Sequence, residues 1–309
     1  MDTKRLYVDF HVLQTVPPSC VNRDDTGSPK TAVYGGATRA RVSSQAWKHA
    51  IREMFKDEYM LNAEDIGSRT KKIADVVEKQ IKLLAPDADA AKLAKKVVKN
   101  TGFKVDEKSG EDKLKTLFFL SEAQAKALAE LAIADCNDPK QYKDALGMAL
   151  FGRMVADAPS LNYDAAAQVA HSISTHAVQN EFDYFTAVDD CAPEDSAGAG
   201  HLGTVEYNSS TLYRYATVNM VELTHLLGAE KAAQAVRVFG EAFIRSMPTG
   251  KQNSFANRTL PDAVYVTLRQ DQPVNLCGAF EKPVRKSEEG YAEPSKMALK
   301  QYAKELYNT

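Results

Sequence analysis

Two stretches of alternating residues, roughly two hundred positions apart, most constrain what this chain can fold into. In the first, Leu6 to Leu13, Val8, Phe10 and Val12 share one face while Asp9 and His11 share the other. In the second, Leu212, Arg214, Ala216 and Val218 alternate with Tyr213, Tyr215, Thr217 and Asn219. A period of two is the signature of a β-strand. Pro17-Pro18 ends the first strand, and a loop punctuated by Gly27, Pro29, Gly35 and Gly36 runs from Ser19 to about Val42. Ser43 or Ser44 then caps a helix with Trp47, Ala50, Ile51, Met54 and Phe55 as its apolar stripe.

Between the two strands, about 63–174, the period changes to that of a helix. Ile73, Val76, Val77, Ile81 and Leu84 recur at helical spacing, and Ser121 with Gln124 forms a capping box. Asp138-Pro139 starts another helix, leading through Leu146 and Leu150 to Gly152-Arg153-Met154. Glu181–Val188 and Thr204–Met220 read as a hairpin joined by the small-residue loop Ala192–Gly203. An amphipathic helix (Ala229–Met247), a strand (Asp262–Arg269), a further extended stretch (Val274–Phe280) and a closing helix (Met297–Tyr307) complete the chain. The pattern is an interrupted βαββαβ, an α+β fold of RRM or ferredoxin-like topology carrying large insertions.

Composition narrows the function classes. With 44% hydrophobic and 26% charged residues among 309, the chain is globular, and no apolar run reaches the ~18–20 residues that spanning a bilayer takes. The polar start, Met1 to Arg5, carries no signal-peptide pattern, and four dispersed cysteines without a CxxC pair read as reduced thiols of a cytoplasmic protein. Net charge is −2, so any basic surface is local. One such region stands out: Thr26 to Arg52 holds Lys30, Arg39, Arg41, Lys48 and Arg52 and no carboxylate. The helix start adds backbone N–H groups and the Ser43 and Ser44 hydroxyls, which suit a phosphate, and Gln45 can reach a sugar or base. A solvated helix face would carry the same cations.

The hairpin has the opposite charge. No Lys or Arg lies between His176 and Arg214, while Glu181, Asp183, Asp189, Asp190, Glu194 and Asp195 are acidic. Tyr184 and Phe185 are adjacent, so in a strand one can enter a core while the other stacks on a base; an ordinary core pair is the alternative. Catalytic and metal signals are weak. There is no P-loop, GxGxxG or GxSxG, and His171 and His176 miss metal-ligand helix spacing. Asp24-Asp25 and Asp189-Asp190 could each offer carboxylates to a divalent ion, although such pairs commonly form turns.

A set of motifs resembles one family. Asn22-Arg23-Asp24-Asp25, Gly35-Gly36, Arg39, Arg41-Val42-Ser43-Ser44-Gln45 with Lys48, and Gly152-Arg153-Met154 carry the likeness. So do Phe185-Thr186-Ala187-Val188-Asp189-Asp190, His201-Leu202-Gly203-Thr204, Tyr213-Arg214-Tyr215-Ala216 and Ala279-Phe280-Glu281-Lys282. In order from about residue 8 to 305, they resemble the CasC-type backbone subunit of the type I-E CRISPR Cascade complex, in the RAMP superfamily. The block between about 60 and 145 matches in character only.

That resemblance implies a hand: an RRM-like palm (1–60 and 205–309), inserted helical fingers (61–175) and a β-hairpin thumb (176–204). Several copies would line a CRISPR RNA head to tail and display its guide bases to a target DNA strand. Partners would be further copies of the chain and the large, small, 5′-handle-binding and guide-processing Cascade subunits. The implied guide contacts are Asn22, Arg23, Lys30, Ser43, Ser44, Gln45, Lys48, Arg52 and Met154, with Arg39 and Arg41 in the same basic stretch. The implied thumb contacts are Tyr184, Phe185, Thr186 and His201; relatives carry Trp where this chain has Tyr184. The family reading needs no cofactor, metal or catalytic residue, and leads one to expect a longer chain after Tyr307. Two other readings remain: a type III-like backbone subunit that cleaves RNA with Asp24 or Asp25, and a stand-alone RRM-like RNA binder, although the RNP1 signature is absent.

Overall fold

A computed structural model describes residues 5–57, 60, 67–101, 113–115, 117–145, 166–187 and 201–307. The chain runs through β1 (Tyr7–Ser19), β2 (Thr31–Tyr34), β3 (Ala37–Val42), α1 (Ser44–Asp57), β4 (Gly67–Thr70), α2 (Ile73–Leu84) and α3 (Ala90–Thr101). It continues with β5 (Phe118–Ser121), α4 (Glu122–Ile133), α5 (Pro139–Ala145), β6 (Ala167–Val169), β7 (Ser172–Ser174), β8 (Glu181–Ala187) and β9 (His201–Asn219). Last come α6 (Met220–Leu227), α7 (Ala229–Arg245), α8 (Gln252–Phe255), β10 (Ala263–Arg269), a 3-10 turn (Leu276–Phe280) and α9 (Ala292–Tyr307). This is a mixed α+β chain with an antiparallel sheet. Among the described residues no helix is long and apolar enough to cross a membrane.

The chain divides into two compact units. The first comprises Met1–Glu53, Val169–Val221 and Ala235–Thr309. Its sheet has the order β10-β1-β9-β7-β3-β2. On one face Phe10 meets the rings of Phe239 and Phe243 on α7 at 5.8 and 6.3 Å. A Cβ on Gly240 would lie 2.6 Å from the Phe10 ring, so glycine is what lets this helix approach the sheet. On the other face Leu13, Tyr213 and Tyr215 pack with Leu276, Phe280, Leu299 and Ala303. Both faces are therefore covered, and the alternating polar residues of β1 are buried rather than solvated. Asp9 accepts from the Val274 N–H at 2.9 Å and from the Tyr215 hydroxyl at 3.2 Å. The His11 ring lies among Tyr213, Tyr215 and Tyr265, with Nδ1 2.9 Å from the Tyr213 hydroxyl and, among the described residues, no hydrogen-bond partner at Nε2.

Three local expectations change. Pro17-Pro18 does not end β1, which continues to Ser19 through a register shift between Val16 and Ser19. Prolines fit there because β10 pairs only as far as Leu13, leaving one edge without a partner strand that needs their N–H groups. The stretch read as loop contains the hairpin β2–β3, whose two-residue turn Gly35-Gly36 takes φ of +58° and +74°. Val274–Phe280 is not a strand: it holds the 3-10 turn, capped by Asn275.

The second unit comprises Met54–Gln168 and Glu222–Gln234. Of the helical stripe read from the sequence, Ile73, Val77 and Ile81 of α2 are buried against Ala94 and Val97 of α3 and Leu128 of α4, whereas Val76 is partly buried and Leu84 is exposed at the end of the helix. The Ser121–Gln124 capping box is formed in both directions, and Asp138 caps α5 through the Lys140 N–H at 2.9 Å. The two-stranded β4–β5 pair was not visible in the helical pattern. The expected boundary at 175/176 comes after β7, which belongs to the sheet of the first unit.

Burial fixes a pH dependence. Desolvation, with the nearby Arg269 charge second, pushes the His11 imidazole down to about 4. An unfolded histidine titrates near 6.5, so below that pH the unfolded chain binds a proton that the folded chain refuses. Stability should be full above about pH 6.5 and fall as pH drops toward 4, by up to about 3 kcal/mol from this residue. Urea midpoints measured between pH 7 and 4.5 should show the decline, and His11→Phe should flatten it. Parallel curves for both proteins would contradict the assignment.

Candidate nucleic-acid interface

The basic stretch is built on a turn and a hairpin. After β1, Asp24 Oδ1 accepts from the Thr26 N–H (2.9 Å), the Thr26 hydroxyl (2.7 Å) and the Ser28 N–H (3.0 Å). These bonds, led by the Thr26 hydroxyl, hold its carboxyl below the ordinary range. Asp24 thus closes the turn, with Gly27 at φ +92°. Asn22 ties the turn to the hairpin and to α1: its carbonyl accepts the Lys30 N–H at 2.8 Å, and its Oδ1 accepts the Ser43 N–H at 2.9 Å. Arg23 stands exposed opposite Pro29.

Lys30, just before β2, lies beside Arg41 of β3, the Arg41 N–H donating to the Lys30 carbonyl at 2.9 Å. The Arg41 guanidinium donates to the Thr31 carbonyl at 3.2 Å and lies 3.2 Å from His171 Nδ1. Burial first, then the charges of Arg41 and Lys30, push the His171 imidazole down, so it is neutral at pH 7 and accepts from the guanidinium. Two cations thereby share one small area, with no carboxylate in the sequence from Thr26 to Arg52.

Ser43 is the N-cap of α1: its hydroxyl accepts the Ala46 N–H at 3.3 Å and its carbonyl the Trp47 N–H at 3.2 Å. The first turn has no acid, so the positive end of the helix is unopposed by an anion of its own. Ser44 is half-buried and Gln45 exposed. Lys48 and Arg52 come next, half-buried, one turn apart on α1. Trp47 and Ile51 anchor the helix, the indole N–H donating to Ser172 Oγ at 2.9 Å.

Arg39 departs from the expectation. It is fully buried, so it is not one of the exposed cations of the stretch. Its guanidinium donates to the carbonyls of Ser174 (2.9 Å), Phe280 (2.9 Å) and Glu281 (3.2 Å). β3 pairs with β2 on one side and β7 on the other, so a residue that looks like part of a charged loop lies in a covered strand.

The hairpin β8–β9 is a ribbon in which Tyr184 faces Thr204 and Phe185 faces Gly203. Neither aromatic enters a core: Tyr184 is 64% exposed and Phe185 39%. The Phe185 ring lies across Gly203, where a Cβ would sit 2.4 Å from it. Thr186 is exposed opposite Leu202. Phe182, 65% exposed, and Leu202 share the Tyr184 face and were not singled out in the sequence, although the period of two places them there. Lys251, in a left-handed turn, is a further cation near this stretch. With Arg23 it acts on the Cys20 thiol, which burial pushes up and these two charges pull back; a lone Lys in a left-handed turn gives no sequence signal. Met154, Asp189 and Asp190 lie outside the described residues, as does the side chain of His201, whose backbone pairs with Ala187.

Hydrogen bonds thus tie Asn22, Lys30 and Arg41 together and link them to the buried N-cap Ser43, from which α1 carries on through Ser44, Gln45, Lys48 and Arg52. A chain of a solved "CRISPR RNA-guided surveillance complex, pre-nicking" is 36% identical, with a TM-score of 0.86, covering 98% of this chain and 89% of that one. A chain of another "CRISPR RNA-guided surveillance complex" is 32% identical, with a TM-score of 0.63, covering 98% and 84%. A search of curated proteins finds no match. The family model described as "CT1975-like protein" matches residues 8–309. The resemblance carried by the motifs is borne out, and the chain belongs to the CT1975-like family of CRISPR-associated proteins.

Proposed function

We propose that this protein is a backbone subunit of a type I-E CRISPR RNA-guided surveillance complex, Cascade, and that it binds the CRISPR RNA. The observation that carries this reading is the 36% identity, at a TM-score of 0.86, to a chain of such a complex over 98% of the present chain. The basic surface of the first unit would hold the RNA backbone, from Asn22, Arg23 and Lys30 through Arg41, Ser43, Ser44 and Gln45 to Lys48 and Arg52. Phosphate contacts fix register without reading sequence, which is delegated to guide pairing with the target DNA strand.

The finer architecture accords with the same reading. The path β1–α1–β7–β9–α7–β10, with sheet order β10-β1-β9-β7, supports a ferredoxin-like palm. The second unit corresponds to the fingers, and β8 with the start of β9 to the thumb, carrying Tyr184, Phe185, Thr186 and His201. An acidic thumb (Glu181, Asp183 and, by sequence, Asp189 and Asp190) suits the basic surface of a neighbouring copy. Such a heterologous contact grows an open array along the RNA. The subunit is non-catalytic and works in the cytoplasm beside the other Cascade subunits. The hydrogen bonds that commit Asp24 to its turn favour this over a loop-acid nuclease.

Titrating the purified protein into a single-stranded RNA of about 40 nucleotides, with sedimentation as the readout, should give several copies per intact RNA; site sizes of ~4–16 nucleotides leave room for them. One copy per RNA, or RNA cut in the presence of a divalent ion, would contradict the reading. Neutralising Lys48 and Arg52 together to Gln should lower the log–log salt slope of binding by roughly 1–2, at about 0.7 per phosphate contact. An unchanged slope would remove α1 from the RNA track. Phe185→Ala should weaken target-strand capture more than guide binding, stacking being worth about 1–3 kcal/mol per base. Equal losses would assign Phe185 to the thumb's own packing.

A further inference from the structure

Among the described residues the fully buried Arg39 has no carboxylate partner, and its acceptors are three main-chain carbonyls drawn from two distant segments. Two of them, Phe280 and Glu281, close the C-terminal end of the 3-10 turn, where unpaired carbonyls concentrate negative charge. The third, Ser174, ends β7, seven residues before the thumb strand β8 begins. Around it the chain is cross-linked. Ser174 Oγ accepts the Ala40 N–H at 3.0 Å and donates to the His176 carbonyl at 2.6 Å. The Val178 N–H donates to the Thr38 carbonyl at 2.9 Å, and the Thr175 N–H to the Thr211 carbonyl at 2.9 Å. His176 stacks on Tyr291 with centroids 3.6 Å apart, and its Nε2 accepts the Thr211 N–H at 3.1 Å.

A second contact fixes the far end of the same hairpin. A Cβ on Gly35 would fall 1.6 Å from the Glu281 carbonyl oxygen, so the β2–β3 turn is seated directly on that backbone. The hairpin carrying Arg41, and leading into Ser43, is thus held by Arg39 at its middle and by Gly35 at its tip, both against Phe280–Glu281. Through Ser174 the same guanidinium grips the root of the thumb.

We infer that Arg39 is a positioning residue: it touches no phosphate, and it sets the basic hairpin and the root of the thumb in one fixed relation through the carbonyls of Ser174, Phe280 and Glu281. The inference rests on the RNA-binding reading above and gives Arg39 a role different from the cations around it. A lysine cannot replace it, because three carbonyls in two directions require the planar fork rather than a point charge.

The test uses the full chain and a single-stranded RNA. Arg39→Gln, Arg39→Lys and Gly35→Ala should each weaken RNA binding by about tenfold, the worth of roughly one well-placed polar contact. Their salt slope should equal that of the unaltered protein, since no counterion-releasing contact is lost. In the RNA-free protein, hydrogen exchange should quicken at the Ala40, Thr175 and Val178 amides and stay unchanged where β1 pairs with β9. If Arg39→Gln does not fold, the other two variants carry the comparison. Full affinity in Arg39→Lys, a slope lowered by about 0.7 in Arg39→Gln, or unaltered exchange at those three amides would each overturn the inference. Absence of RNA binding by the unaltered protein would instead sink the functional reading, and the exchange experiment would still decide whether Arg39 clamps the two segments.

Discussion

Much of the first unit depends on one strand. β9 spans nineteen residues, and its two halves have different partners. From Asn208 to Asn219 it lies beside β1 in the middle of the sheet, while from His201 to Tyr207 it pairs with β8 alone. A two-stranded ribbon is marginal by itself in water. Here its base is continuous with a strand buried on both faces, so the sheet's packing holds the ribbon up. Where the two halves meet, Asn180 donates to Glu206 at 3.1 Å and accepts from Asn208 at 3.0 Å, closing the base of the ribbon.

Keeping both faces of that sheet covered has a cost in buried polar groups, met at three residues. Arg214, on the inner half of β9, lies 3.8 Å from the Trp47 ring centre and 4.7 Å from that of Phe243. It donates to Gln14 at 2.6 Å and to the Phe243 carbonyl, and burial brings it down to about 9. Aromatic faces and carbonyls here take the place of a counterion. Arg39 uses carbonyls in the same manner. His11 stays neutral among tyrosines instead. In each case the residue type suggests surface chemistry, and the surroundings make it structural.

That explains what could and could not be read beforehand. The strands at both ends, the helix α2, the capping box and the β8–β9 hairpin come from local patterns, which depend only on neighbours in sequence. The basic stretch came from charge, and Asn22, Lys30, Arg41 and Ser43 do come together. The burial of Arg39 was not legible, because it depends on β7 and on residues 280–281, which lie far along the chain. The β2–β3 hairpin was hidden by short strands, although Gly35-Gly36 marks its turn. His171 reaches Arg41 only through a tertiary contact, and no local pattern announces it. The family likeness pointed to the stretch as a whole, but it did not separate its exposed side chains from the buried Arg39 and Ser43.

On the reading proposed above, RNA runs along the surface formed by the Asn22–Lys30 turn, the β2–β3 hairpin and the start of α1. Ultraviolet cross-linking of the full chain to single-stranded RNA, with the modified peptides identified by mass spectrometry, tests it most directly. Cross-links are expected within residues 22–30 and 41–52, with additional ones on Tyr184 or Phe185. Cross-links confined to α2, α3 and α4, or to the outer face of α7, would contradict it.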